Sequence, residues 1–495
     1  MSSKIEAWTF SRALCRGRTI LAGGGAKFFR DLSVLVGGQI AAKLIGFLAF
    51  AYLARSLDPQ AYGAVEFIVG FAGLFAMAID CGLGTIGMRR AAAAPSERPQ
   101  LAAQISLIRL SIALICVPVM IVSANAVSDA GVPDKLIWLY AASLVFLAWH
   151  QEWLLQSAAL MAQVAFAQIL RMSVFFFVIV LLVGDSGDAL LVGWGEIAAV
   201  AAAATYSLYV QQHRIAPIRF LASAKTKDLI REAIPVGLSR GVWSAAQFAP
   251  LFLVGALLGG ADTGLFASAN RLVGALMTFS FVYHFNLYAA LAPAAAQDPA
   301  AYAALLRKSF RVVGWITIGG ALFVMLAAAP IVGLVFGARF TPAAPALEIL
   351  IWSVPVTFLS GHMRWALILA HAELYLFLAQ VGGLVAVLLL GMGLVPLWGN
   401  VGASLAAVAG SMAVWCGSYL VTSAKGITAP PFHLIAKPLT AAFILAAVVN
   451  ICTLGPWRGA IIALLFYVVA APMLDRLLVS DLIRLAQVRS AGAAG

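Results

Sequence analysis

Residues 33–54 read SVLVGGQIAAKLIGFLAFAYLA, an apolar run in which Lys43 is the one charged position. At 1.5 Å of rise per residue, about 20 apolar residues cross the hydrocarbon core of a bilayer as a helix. With no water there, the backbone must satisfy its own hydrogen bonds, which a helix does. The stretch therefore predicts a membrane-spanning helix. A cation facing lipid near its middle costs about 2.5–3.5 kcal/mol, so Lys43 is expected to face protein or a wet interior.

The same pattern recurs along the chain, at 65–88, 104–125, 135–158, 164–184, 189–210, 233–257, 264–290, 312–335, 347–370, 374–397, 401–423, 437–454 and 458–474. The expected fold is an all-α polytopic membrane protein with about fourteen transmembrane helices. Composition agrees, since 63% hydrophobic residues, 11% charged residues and a mean hydropathy of +0.98 exclude a soluble globule.

Charge gives the orientation. With the N-terminus inside, cytoplasmic segments hold 22 of the 32 Lys and Arg residues, the opposite loops hold 4 and the spans hold 6. Basic residues accumulate on cytoplasmic loops, so both termini are expected in the cytoplasm of a multi-pass inner (plasma) membrane protein. The net charge of +12 is then topology signal plus attraction for membrane lipids, and calls for no nucleic acid. The apolar run at 33–54 is of spanning length and follows a polar lead of about thirty residues, unlike a cleavable signal peptide.

Leu57-Asp58-Pro59-Gln60-Ala61-Tyr62-Gly63 has a counterpart in Leu258-Gly259-Gly260-Ala261-Asp262-Thr263-Gly264, at an offset of 201 residues. The echo divides the chain into a cytoplasmic lead (1–32), a six-helix bundle (33–210), a basic cytoplasmic linker (211–232), a second six-helix bundle (233–423) and a last helix pair with a cytoplasmic tail (424–495). Repeats of this kind place a cavity between the halves. Loops are short and leave no room for a soluble catalytic domain. No Walker A sequence is present, and Gly82-Leu83-Gly84-Thr85-Ile86-Gly87 lacks the preceding strand that a dinucleotide site needs. The five cysteines, Cys15, Cys81, Cys116, Cys416 and Cys452, are dispersed and predict neither disulfides nor a metal centre. No cofactor, metal or enzymatic activity is expected.

The candidate site residues are the six cations inside spans: Lys43, Arg109, Arg171, Arg240, Arg271 and Arg364. Lys43 and Arg271 lie deepest, one per half, and suit an anion crossing between bundles. Arginine grips phosphate oxygens bidentately, whereas lysine acts as a point charge. The other four lie in the cytoplasmic parts of their helices and suggest a cationic entrance, with snorkelling to headgroups as the alternative. Pairing with Glu66, Asp80, Glu152, Glu196, Glu348 or Glu373 is a second alternative. Asp80 and Glu66 are candidates for proton coupling, although capping or packing accounts equally well for Asp80. His150 and His284 read as satisfied interior histidines, His362, Arg364, His371 and Glu373 recur along the tenth span and its end without metal-site spacing, and Trp243 and Trp365 read as core residues before sugar-stacking platforms.

Four motifs carry a family resemblance. Ala54-Arg55-x-Leu57-x-Pro59-x-x-Tyr62-Gly63, then Asp80-x-Gly82-Leu83-Gly84 with Arg89 and Arg90, then Gly264-Leu265-Phe266-x-x-Ala269-x-Arg271-Leu272, and the turn Leu394-Val395-Pro396-Leu397-Trp398-Gly399-Asn400-Val401-Gly402-Ala403 occur in order. Together they resemble the polysaccharide flippases of the multidrug/oligosaccharidyl-lipid/polysaccharide exporter superfamily. The resemblance implies a polyprenyl-diphosphate-linked oligosaccharide moved from the cytoplasmic to the outer leaflet by alternating access, for export of surface polysaccharide. It also implies contact with polysaccharide assembly proteins and a lipid-tail groove at the last two helices. A cation-coupled small-molecule exporter of the same superfamily is the alternative, followed by a membrane polysaccharide polymerase or ligase.

Overall fold

The computed structural model describes residues 33–127, 131–215, 217 and 226–483. The polar lead 1–32, the middle of the linker 211–232, Cys15 and the tail beyond 483 lie outside the described residues. Among those described, the chain is helix and turn without strand.

The path runs through α1 (Ser33–Ser56), α2 (Pro59–Asp80), α3 (Leu83–Ala93), α4 (Arg98–Ala126), α5 (Asp134–Leu147), α6 (Glu152–Ser157), α7 (Met161–Leu182) and α8 (Ala189–Arg214). It continues through α9 (Thr226–Leu257), α10 (Gly260–Gln297), α11 (Pro299–Leu326), α12 (Ala328–Phe336), α13 (Ala344–Leu350), α14 (Ser353–Leu369) and α15 (Glu373–Ala424). Last come α16 (Ala436–Ile451) and α17 (Pro456–Leu474).

Local chemistry sets the breaks. Asp58 starts α2 as an N-cap, accepting the Ala61 N–H at 2.8 Å, with Pro59 in the first turn. The helix ends where Cys81 and Gly82 both adopt left-handed backbone, φ 42° and 79°, and α3 restarts beyond them. The glycines of 82–87 serve this bend and the packing behind it. Gly87 lies so close to Trp153 that a Cβ there would sit 2.9 Å from the ring. Asp298 alone separates α10 from α11 and caps the latter through the Ala300 and Ala301 N–H groups. The segment 291–311 between the two spans is thus helical but for Asp298.

Eleven helices among the described residues are long and apolar enough to cross a membrane, against the fourteen expected. The difference falls at three places. The stretch at 135–158 is divided between α5 and α6, and α9 carries Arg240, Gln247, Pro235 and Pro250. The third is α15, a single element whose backbone leaves helical geometry at Gly399, φ 57° and ψ −135°.

In the interior, α2 packs along α10 and also meets α4, α5 and α9, while α9 lies along α15 and α7 along α8. α2 thus touches helices from both the earlier and the later part of the chain. Outside this arrangement α16 and α17 pair with each other and rest on α11. Arg311 of α11 pairs with Asp475 at 3.4 Å and Asp481 at 2.7 Å, which fastens the residues after α17 to the same helix.

Candidate functional site

A cavity of about 550 Å³ opens between α1, α2, α5, α7, α8, α9 and α10. Of the six expected cations, Lys43, Arg171 and Arg271 line it, together with Glu66 and Glu196. Arg109, Arg240 and Arg364 do not.

Arg271 and Glu66 form a two-pronged ion pair, with Nε donating to Oε1 at 2.5 Å and Nη2 donating to Oε2 at 2.9 Å. Tyr62, fully buried one turn before Glu66 on α2, donates its hydroxyl to Oε1 at 2.6 Å. The Arg271 guanidinium also lies 3.2 Å from the centre of the Phe50 ring, a cation–π contact that covers the fork's apolar face. Phe50 stacks in turn on Phe175 of α7. Arg171 donates to Glu196 at 2.6 Å, across from α7 to α8. Lys43 differs. Its ammonium donates to the Thr278 hydroxyl at 3.2 Å and has no carboxylate partner among the described residues.

The cavity's formal charge is therefore carried by Lys43, because the two arginines are balanced by glutamates. Along α1, Lys43 and Phe50 are seven residues apart, and so are Arg271 and Thr278 along α10. At 1.5 Å per residue the lysine and the Arg271 fork stand about 10 Å apart along the helix axes.

The remaining cations have other places. Arg109 is buried, pairs with Asp80 and donates to the His150 carbonyl at 3.0 Å. Arg240 stands 3.8 Å from the same Asp80 and donates to Thr85 Oγ1 at 3.2 Å. Asp80 also accepts the Gly84 N–H at 3.1 Å, so it works as an N-terminal cap of α3 and a bridge to α4 and α9. Arg364 makes no hydrogen bond or ion pair among the described residues. It lies within electrostatic reach of His284, which belongs to a buried polar cluster on α10, α11 and α14. There His362 contacts Ser309 at 2.9 Å and Tyr283 at 3.3 Å, and His284 reaches the Phe358 carbonyl at 3.0 Å. Trp243 and Trp365 do not line the cavity, and Trp365 stacks on Tyr288.

The walls meet beyond the cavity at both ends. At one end α2 and α10 touch backbone to backbone: a Cβ on Gly63 would sit 2.6 Å from Gly264 N, and one on Gly264 would sit 3.1 Å from Gly63 N. These are the two glycines related by the 201-residue echo. Beside them Arg55 of α1 donates to the Val335 carbonyl at 3.0 Å and to that of Leu334, capping the C-terminus of α12. At the other end Gly82 meets Gly237 of α9, and Arg89 and Arg90 of α3 pair with Glu232 of α9 at 3.5 and 2.7 Å. The hydrogen bond from Arg90 holds the exposed Glu232 carboxyl below its usual range.

Sequence reasoning missed Tyr140 and Asn270, which line the cavity, and Tyr62, which supports Glu66 from outside its lining. A tyrosine or asparagine inside an apolar span carries no charge penalty, so nothing in composition separates it from a packing residue.

A largely apolar cavity that carries a few charged side chains, walled by many helices of an apolar chain, is the architecture of a multi-pass membrane transporter. The chain belongs to the polysaccharide biosynthesis protein family, whose sequence profile matches residues 28–297, more than half of its length. Its fold is that of the multidrug/oligosaccharidyl-lipid/polysaccharide superfamily. It is similar to the lipid II flippase MurJ in an inward closed conformation (TM-score 0.73, 11% identity, 90% of this chain and 99% of that one). It is also similar to an inward-facing multidrug resistance MATE family transporter (TM-score 0.62, 16% identity, 78% of this chain and 94% of that one). A third similar structure is a superfamily transporter from Pyrococcus furiosus (TM-score 0.55, 15% identity, 80% of this chain and 95% of that one). Among curated proteins no significant sequence match is found.

Proposed function

We propose that the protein is a flippase that carries a polyprenyl-diphosphate-linked oligosaccharide from the cytoplasmic to the outer leaflet of the bacterial inner membrane, for export of surface polysaccharide. The observation that carries this reading is Lys43, a cation without an acid partner among the described residues, open to a cavity between helices of a membrane protein. An uncompensated charge at that depth calls for a mobile anion. The family assignment supports a saccharide cargo, and the similarity to a lipid II flippase supports a lipid-linked one.

In this reading both termini are cytoplasmic, so the end closed by Arg89, Arg90 and Glu232 faces the cytoplasm and the Gly63–Gly264 contact faces outward. The two six-helix bundles, 33–210 and 233–423, rock about α2 and α10. Lys43 receives the diphosphate from the inner leaflet. Arg271, about 10 Å further along, takes it next and must exchange the Glu66 carboxylate for phosphate oxygens of matching geometry. A released Glu66 is then the group positioned to take a proton, whereas Asp80 remains fixed between Arg109 and Arg240 at the cytoplasmic end. Arg171 completes the cavity wall, and Arg109 and Arg240 shape the entrance through Asp80, whereas Arg364 stands apart beside the His284 cluster. Contacts with assembly proteins belong to the same reading.

The test is a flipping assay in proteoliposomes with defined polyprenyl diphosphate sugars. Each charge-assisted contact contributes about 1.5–3 kcal/mol, so Lys43→Ala and Arg271→Ala are each expected to slow flipping by about ten- to a hundredfold. Unchanged turnover in both variants would remove the assignment.

A further inference from the structure

A buried hydroxyl without a hydrogen-bond partner is uncommon, because leaving such a group unpaired costs about 1–3 kcal/mol. Tyr140 of α5 is one. Its side chain is 2% exposed, its hydroxyl has no partner among the described residues, and the residue lines the central cavity. Both ion pairs, Arg171–Glu196 and Arg271–Glu66, line the same cavity. Two further groups that line the cavity are unengaged. Arg171 uses Nη2 on Glu196, but its buried Nε has no acceptor. Asn270, next to Arg271 on α10, lines the cavity and makes no hydrogen bond among the described residues.

This set differs in chemistry from the cations. A phosphate accepts hydrogen bonds and wants positive charge, which Lys43 and Arg271 offer. A phenol and an amide each donate and accept, a carboxylate accepts and a guanidinium donates. The Arg171–Glu196 pair adds no net charge. Such a mixed, neutral wall complements a ring bearing several hydroxyls, each of which is donor and acceptor at once. A cavity of about 550 Å³ falls in the range that holds a single small ligand, so it has room for the sugar nearest the phosphates and not for a long chain.

We propose that Tyr140, Asn270 and the Arg171–Glu196 pair form a subsite for the first, lipid-proximal sugar of the cargo, beside the phosphate-binding cations. The proposal rests on the flippase reading and adds selectivity to it: the lipid-proximal residue of the oligosaccharide is read at this wall, and the sugars beyond it are not.

The experiment measures binding to the full-length protein in nanodiscs with four probes: undecaprenyl diphosphate alone, and the same lipid bearing glucose, galactose or N-acetylglucosamine. At least one sugar-bearing lipid is expected to bind about tenfold more tightly than the bare one. Tyr140→Phe, which removes the hydroxyl alone, and Asn270→Ala, on a partly exposed wall position, are each expected to shrink that ratio by about three- to tenfold. Equal binding of bare and sugar-bearing lipids by the parent protein would overturn the subsite, as would an unchanged ratio in both variants. Binding of none of the four probes would overturn the flippase reading itself, and the subsite with it.

Discussion

Lys43 and Arg271 show how differently two cations of one cavity can be held. The arginine is gripped by Glu66, backed by Tyr62 and covered by Phe50, whereas the lysine has a single hydroxyl contact. Composition reveals both, because a charge inside an apolar run is conspicuous wherever it falls. Pairing is another matter. Glu66 and Arg271 are 205 residues apart, so their contact depends on how α2 crosses α10, which no local pattern records. At this scale the Asp58 cap gives a clean prediction. The Ala61 N–H bond, with smaller help from Ser186 and Arg339, holds its carboxyl below the ordinary value. A depressed folded value means that the stabilisation is complete above the unfolded pKa of about 3.9 and fades as pH falls through the folded one. Asp58→Ala is expected to cost about 0.5–2 kcal/mol at pH 7, seen as a lower melting temperature in detergent. The gap to the parent should narrow near pH 3. Identical melting at pH 7 would show that the cap contributes nothing.

Helices α2 and α10 carry the element-scale argument. Their spans were readable from apolar length, and the echo around Gly63 and Gly264 was readable as a repeat. The contact between those two glycines was not, since a repeat says which positions are equivalent and not that they meet. The breaks in α2–α3 and α5–α6 were hidden for a related reason: a kinked helix keeps the composition of a straight one, whereas the break at Gly399 in α15 falls in the turn the sequence marks at 394–403. Because each glycine faces partner backbone, which has no rotamer to yield, Gly264→Ala should hold the two helix ends apart. Spin labels at the exposed positions Gln60 and Ala261 are expected to report a longer distance in this variant, and flipping should slow by at least about tenfold, the effect of 1.4 kcal/mol. Gly320→Ala is the control, since a Cβ there meets nothing within 4 Å. A distance that stays at the parent value in Gly264→Ala would mean the contact is dispensable for closure.

Inside the spans the cations fall into two groups: arginines paired with acids, which hold helices together, and Lys43 and Arg364, which have no acid partner among the described residues, Lys43 alone of these two lining the cavity. A carrier built this way need not hydrolyse nucleotide, because the membrane potential acts on the cargo. With the cytoplasm negative, each negative charge moved outward gains about 2.3 kcal/mol per 100 mV, roughly fiftyfold in the leaflet equilibrium. If Lys43 and Arg271 shepherd a diphosphate, the loaded step moves net negative charge outward. The empty return carries Lys43 back with no anion on it. Proteoliposomes given an inside-negative potassium diffusion potential are therefore expected to flip a polyprenyl diphosphate sugar outward faster than at zero potential. Reversing the potential should slow the same step. Replacing the diphosphate by a neutral linkage should abolish the response, because the potential then has no cargo charge to act on. Glu66→Gln separates the two drives: it removes the group placed to take a proton while leaving the phosphate charge, so a pH gradient should lose its effect and the potential should keep it. Equal rates at zero and at 100 mV of either sign would mean that the anion does not travel through the field, and that the cations of the cavity serve the fold alone.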